Sequence, residues 1–181
     1  MNPALFLDRD GVINQEINYL HRIEDFEFID GVFATCQYFQ EKGYGLFVVT
    51  NQAGIGRGYY TEQQFHRLND WMIEQFAARG VWICQTYFSP YHPTAGIGMY
   101  RCDHVDRKPN PGMLLRARAD WGVDLARSLL VGDKESDILA GINAGVGMTA
   151  LVRSGHTIEE GSTQASIVID SIAELPGVVD F

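Results

Sequence analysis

The chain has 181 residues, 46% hydrophobic and 20% charged, the balance of a globular protein with a sizeable core. Its formal net charge of −9 offers no basic field to a nucleic-acid backbone or an anionic membrane, although a small phosphorylated substrate needs only a local positive cluster. Cys36, Cys84 and Cys102 are too few and scattered for a disulfide framework, and neither a leader nor a membrane-length apolar run is found, so one cytoplasmic domain, 1–181, is expected.

The first element is an apolar run, Leu5-Phe6-Leu7, that stops at Asp8-Arg9-Asp10-Gly11. In an extended strand, acids two residues apart point to the same side. At the carboxyl end of a central strand they emerge where open α/β sheets bind ligands. Two carboxylates so close repel, so either one is protonated or a cation sits between them. Magnesium, a hard ion satisfied by carboxylates, phosphate oxygens and water, fits that place. A carboxylate can also attack phosphorus, giving an aspartyl-phosphate. Alone, the motif is equally a turn closing a strand.

Residues 14–30 mix aromatics and acids without a period and read as an irregular excursion beside the first strand. A helix is expected between Gly31 and Gly43, with Val32, Cys36 and Phe39 on one face. Residues 45–50 form a second buried strand ending in Thr50-Asn51-Gln52, followed by a glycine-rich loop, 53–58. Thr61 is a natural N-cap for a helix over 62–78 whose Phe65, Leu68, Met72 and Phe76 face the core. Residues 82–89 read as a third strand, trailed by a proline- and glycine-rich loop to about 108, and Pro111 opens a helix to about Ala119. Strands over 129–133 and 148–152 flank a helix over 136–144, and 166–169 add an edge strand. Alternating strands and helices predict an α/β fold: a doubly wound parallel sheet with flanking helices.

Read together, the strand ends converge. Asp8 and Asp10 close the first strand, Thr50 and Asn51 the second, Gly132 and Asp133 the fourth, and Arg107-Lys108 precede the helix leading into it. Acids for a metal, a hydroxyl and amide for phosphate oxygens, and a lysine to offset charge are what phosphoryl transfer needs. The glycines at 54, 56 and 58 do not match a dinucleotide fingerprint. His66 and His156 read as surface residues, Cys36 and Cys84 as core.

Asp8-Arg9-Asp10-Gly11, Thr50-Asn51, Lys108 and Gly132-Asp133-Lys134-Glu135-Ser136-Asp137, in this order, resemble the four motifs of the haloacid dehalogenase (HAD) superfamily of phosphatases. The resemblance implies a HAD-like Rossmannoid fold with small loop insertions and no large cap domain. It makes Asp8 the nucleophile and Asp10 the general acid, then base, with Asp8, Asp10 and Asp133 holding Mg2+ and Asp137 in support. Thr50 and Lys108 would bind the transferring phosphate.

The stretches 26–32, 50–58 and 107–113 narrow the likeness to the D-glycero-D-manno-heptose 1,7-bisphosphate 7-phosphatase family. That likeness implies a phosphorylated sugar as substrate, hydrolysed at C7; a monomer is expected. It places Arg9, Glu16, Ile17, Asn18, Tyr19, Asn51, Gln52, Ala53 and Lys134 around the substrate, and Arg107 on the phosphate that does not react. It also implies a structural zinc in the loop before Arg107, but the four matching positions carry Ser89, Tyr91, His104 and Asp106. A loop that has lost its zinc is the expectation, with a shifted site from His92, Cys102, His104 and Asp106 as the alternative. Three rivals stay open: a histidinol-phosphate phosphatase, a polynucleotide 3′-phosphatase, against which the acidic charge counts, and a phosphoacceptor signalling domain.

Overall fold

The first strand, β1 (Ala4–Leu7), is buried along its whole length. Its alternate residues serve two cores: Leu5 and Leu7 face one layer of helices, Ala4 and Phe6 the other. The same alternation runs through β2 (Gly45–Asn51) and β4 (Leu129–Gly132), where Val48 and Val131 turn one way and Val49 and Leu130 the other. The computed structural model describes residues 2–179. β3 (Ile83–Ser89), β5 (Met148–Val152) and β6 (Ile167–Ile169) complete one six-stranded sheet. Its order is β3-β2-β1-β4-β5-β6, with every neighbouring pair parallel.

On the first face, α1 (Val32–Glu41) contributes Val32, Cys36 and Phe39, and α3 (Glu62–Ala77) contributes Leu68, Met72 and Phe76. On the second face, Met113, Leu114 and Ala117 of α4 (Gly112–Trp121) pack with Ala140 and Ala144 of α5 (Glu135–Ala144). Each large apolar side chain so buried contributes roughly 1.5–3 kcal/mol. Thr61 starts α3 with a full capping box: its hydroxyl accepts the Gln64 backbone N–H at 3.1 Å, and the Gln64 side chain accepts the Thr61 backbone N–H at 2.9 Å.

The expected α/β, doubly wound, parallel sheet with short insertions is therefore what forms. Three details differ. α4 starts one residue after Pro111 and runs past Ala119 to Trp121, stopping at Gly122 in the left-handed conformation. Part of the glycine-rich loop winds into a one-turn helix, α2 (Ala53–Gly56). The tail ends in a further turn, α6 (Leu175–Val178), and Ile172 and Leu175 bury themselves against α1. Thr35 ties that tail down, its hydroxyl donating to the Ile172 carbonyl at 3.1 Å. Among the described residues, no helix is long and apolar enough to cross a membrane.

Candidate active site

The strand order reverses between β1 and β4, and in open α/β sheets the crevice beyond that point is where ligands bind. A cavity of about 510 Å³ lies there. Asp8 and Asp10 reach it from the end of β1, Asn51 and Gln52 from β2, Asp133, Lys134 and Asp137 from β4 and the start of α5, and Arg107 and Lys108 from the loop before α4.

The floor is an ion cluster. Lys108 Nζ meets Asp8 Oδ1 at 2.9 Å and Asp137 Oδ1 at 2.6 Å, and donates to the Val49 carbonyl at 2.8 Å. Asp8 Oδ1 also accepts the Arg9 backbone N–H at 2.9 Å. Asp137 Oδ2 accepts the backbone N–H groups of Asp133 and Lys134 at 3.1 and 3.0 Å, so it caps α5 while holding the lysine. Burial is the largest force on Asp8 and raises its carboxyl well above 3.8; Asp137, Asp133 and Asp10 add to the rise, and Lys108 does not overcome them. Burial lowers the Lys108 ammonium, but Asp137 and Asp8 outweigh it and raise it overall.

Asp10 stands apart in a cage of donors. Arg9 reaches both its oxygens, at 3.0 and 3.1 Å, while Asn14 donates to Oδ1 at 3.0 Å and Gln52 to Oδ2 at 3.1 Å. Gln52 is fixed in turn by Tyr60, whose hydroxyl donates to its carbonyl oxygen at 2.5 Å.

Of the residues expected around a substrate, Asp8, Asp10, Glu16, Asn18, Tyr19, Asn51, Gln52, Ala53, Arg107, Lys108 and Lys134 line the cavity. Arg9, Ile17 and Thr50 do not. Arg9 is 1% exposed and spends its guanidinium on Asp10 and the Leu20 carbonyl. Ile17 is 43% exposed, on the outer side of its loop. The Thr50 hydroxyl is buried and accepts from Gln52 Nε2 at 2.8 Å, which makes it a prop for Gln52. Asn51 exchanges two 3.0 Å hydrogen bonds with the backbone of Lys108, locking the lysine in place.

Arg57, Tyr60, His92 and His156 also line the cavity and were not among the expected residues. Arg57 lies in the 50–58 stretch that carried the resemblance. The others have no sequence signal, because loop packing brings them in. His156 binds Asp133 Oδ2 twice, its backbone N–H at 2.9 Å and its ring Nδ1 at 2.6 Å, and its Nε2 lies 3.7 Å from Glu16. Reading it as a surface histidine was wrong. Burial is the main cause that raises the Glu16 carboxyl, with Asp10 adding to it. Arg57 and Arg107 form a positive edge: burial, then Arg57, lowers the Arg107 guanidinium, and burial with both arginines lowers the His92 imidazole.

Comparison with known proteins fits this geometry. The HAD-hydrolase-like family model matches residues 105–175. The D-glycero-α-D-manno-heptose-1,7-bisphosphate 7-phosphatase of Burkholderia mallei is 57% identical over 151 residues, 83% of this chain and 80% of that protein. The corresponding β-anomer phosphatase of Vibrio cholerae is 47% identical over 175 residues, 96% of this chain and 94% of its own. The chain belongs to the heptose-1,7-bisphosphate 7-phosphatase family of HAD-like hydrolases. Among solved structures, the D,D-heptose 1,7-bisphosphate phosphatase of B. bronchiseptica, in complex with magnesium and phosphate, superposes with a TM-score of 0.83 at 26% identity, covering 97% of this chain and 96% of that one. A HAD-like phosphatase of Mesorhizobium loti superposes at 0.84 with 35% identity, covering 97% and 83%.

The cluster fits the divalent ion that this family implies. Asp8, Asp133 and Asp137 each offer an oxygen, all within 4.8 Å of one another. Three carboxyl groups face a single lysine, and Asp133 Oδ1 is buried without a partner. Gly11 and Gly155 make the room: a Cβ on either would lie 2.4 or 2.2 Å from Asp133 Oδ2, and Gly11 has φ +85°. Asp10 is not part of this group of carboxylates. Asp10 was expected beside Asp8 and Asp133 at the metal; its carboxylate oxygens here accept from Arg9, Asn14 and Gln52.

Proposed function

We propose that this chain, one HAD-like phosphatase domain over 1–181, removes the C7 phosphate of D-glycero-D-manno-heptose 1,7-bisphosphate with Mg2+. The observation that carries the reading is the buried group of Asp8, Asp133, Asp137 and Lys108 at the switch point, beside a caged Asp10. Asp8 attacks the phosphorus in line with the C7–O bond, and the departing C7 oxygen takes a proton from Asp10. Water, giving one of its own protons to the Asp10 carboxylate, then attacks the aspartyl-phosphate and releases phosphate and the free Asp8 carboxylate. Lys108 holds Asp8 in its attacking position and offsets its charge. When bound to Asp8, Asp133 and Asp137, magnesium neutralises the phosphate oxygens and the excess carboxylate charge. Glu16, Asn18 and Tyr19 border the sugar, and Arg107, with Arg57 beside it, meets the C1 phosphate.

The α anomer is the favoured substrate. The relative named for it is 57% identical to this chain, against 43–47% for those named for the β anomer. The test is phosphate release with magnesium from both anomers, beside histidinol phosphate and a 3′-phosphorylated oligonucleotide. Preference for the α bisphosphate, lost in Asp8→Asn, supports the reading. Preference for histidinol phosphate overturns the substrate and keeps the chemistry.

A further inference from the structure

The family resemblance brings a structural zinc to the loop before Arg107, and the residues there do not fit one. Structural zinc is closed by four cysteine or histidine ligands. Here His104 is the only ordinary ligand among Ser89, Tyr91, His104 and Asp106. Its Nδ1 accepts the Asp106 backbone N–H at 3.1 Å, and its ring lies flat on Tyr91, centroids 4.0 Å apart and planes at 14°. Asp106 Oδ2 is held by Arg116 of α4 at 2.9 Å, and that guanidinium lies 4.9 Å over the ring of Tyr87. The two buried oxygens left without a partner, Ser89 Oγ and Asp106 Oδ1, are hard donors, unlike thiolates. Among the described residues, no group of potential metal ligands includes Cys102, His104 or Asp106.

The main-chain carbonyls of the two stacked residues also hold both ends of Arg107. Its backbone N–H donates to the His104 carbonyl at 3.0 Å, and its Nη1 donates to the Tyr91 carbonyl at 2.9 Å. Asn110 adds a bond from its side chain to the same His104 carbonyl at 2.9 Å. Arg107 is half-buried and faces the repulsion of Arg57, so its guanidinium needs fixed acceptors to stay at the cavity.

We propose that the Tyr91–His104 stack, secured to α4 by the Asp106–Arg116 pair, is a metal-free clamp that replaces zinc and positions Arg107. Tyr91, His104 and Asp106 are thus positioning residues. The claim about Arg107 rests on the bisphosphate reading above, and the claim about zinc does not.

The experiment has two arms. In the first, elemental analysis of the purified protein, with melting curves before and after EDTA and magnesium re-addition, is expected to give far less than one zinc per chain and an unchanged melting temperature. A full equivalent of zinc, or a melting temperature that zinc alone restores, overturns the clamp. In the second, Tyr91→Leu is expected to raise KM for the heptose bisphosphate by about tenfold while kcat moves by less than about twofold. Tyr91→Phe, which keeps the ring, restores the wild-type KM. Equal KM for the Leu and Phe variants overturns the positioning role. If Tyr91→Leu does not fold, Asp106→Asn, which weakens the tie to Arg116 and keeps the stack, must give a smaller rise in KM of the same kind; no rise overturns it. If the wild-type enzyme turns over no heptose bisphosphate, the substrate reading fails, and the first arm alone judges the clamp.

Discussion

Asp8 occupies a position that works against its own charge. Burial and three neighbouring acids raise its carboxyl, and one lysine offsets only part of that. In metal-free protein the folded state therefore holds a proton that the unfolded chain has lost above about 3.8, so stability falls as pH rises from there through the raised value. Asp8→Asn removes that slope. It should raise the melting temperature of EDTA-treated protein near neutral pH by about 2–4 °C for each kcal/mol of repulsion relieved, while lowering turnover by about 10⁴-fold or more. Melting curves at several pH values and a phosphate assay check both. A second prediction concerns His156, whose two hydrogen bonds hold one oxygen of Asp133 and leave the other free for a cation. His156→Ala should weaken magnesium binding about 10- to 100-fold, read as a shift in the magnesium concentration that stabilises the protein. His156→Asn, which retains a short donor, should lose less.

At the scale of elements, α3 shows how a local signal works by itself. Thr61 and Gln64 complete both halves of the capping box without help from the rest of the fold. Thr61→Ala should therefore cost about 1 kcal/mol, seen as a lower urea midpoint with an unchanged slope. The one-turn helix α2 is different. Gly54 and Gly56 have little helical preference, but Tyr60 and the Pro90 carbonyl approach them so closely that a Cβ would lie 2.2 or 2.3 Å away. Close packing thus makes a helix of a segment that composition describes as a loop, and it brings Arg57 to the cavity.

For the whole molecule, the two-layer wrapping of the sheet decides which side chains reagents can reach. Cys36 lies in the core under α1, and burial pushes its thiol up to about 12. In folded protein near pH 8 it should resist an aromatic disulfide reagent, while Cys84 and Cys102, both partly exposed, react first. Mass spectrometry of the modified sites over time checks the order, and early labelling of Cys36 would contradict the burial.

The strand ends could be read in advance because each depends on a local rule. An apolar run that stops at an acid marks a buried strand and its exit, and parallel order puts every such exit on one edge of the sheet. That reasoning brought Asp8, Asp10, Asp133 and Lys108 to one edge, and all four line the same cavity. It did not show that Thr50 props Gln52, that Arg9 is spent on Asp10 and Leu20, or that three side chains donate to Asp10, because the sequence identifies which residues arrive at the edge but not how their hydrogen bonds are divided once there. It did not bring His92 or His156 to the cavity. These lie in loops with no period, and only the packing of those loops against the strand ends brings an imidazole to the cavity or to Asp133. The motifs thus named the residues that gather at the sheet edge, and the tertiary structure decided which of them line the cavity and which hold the others still.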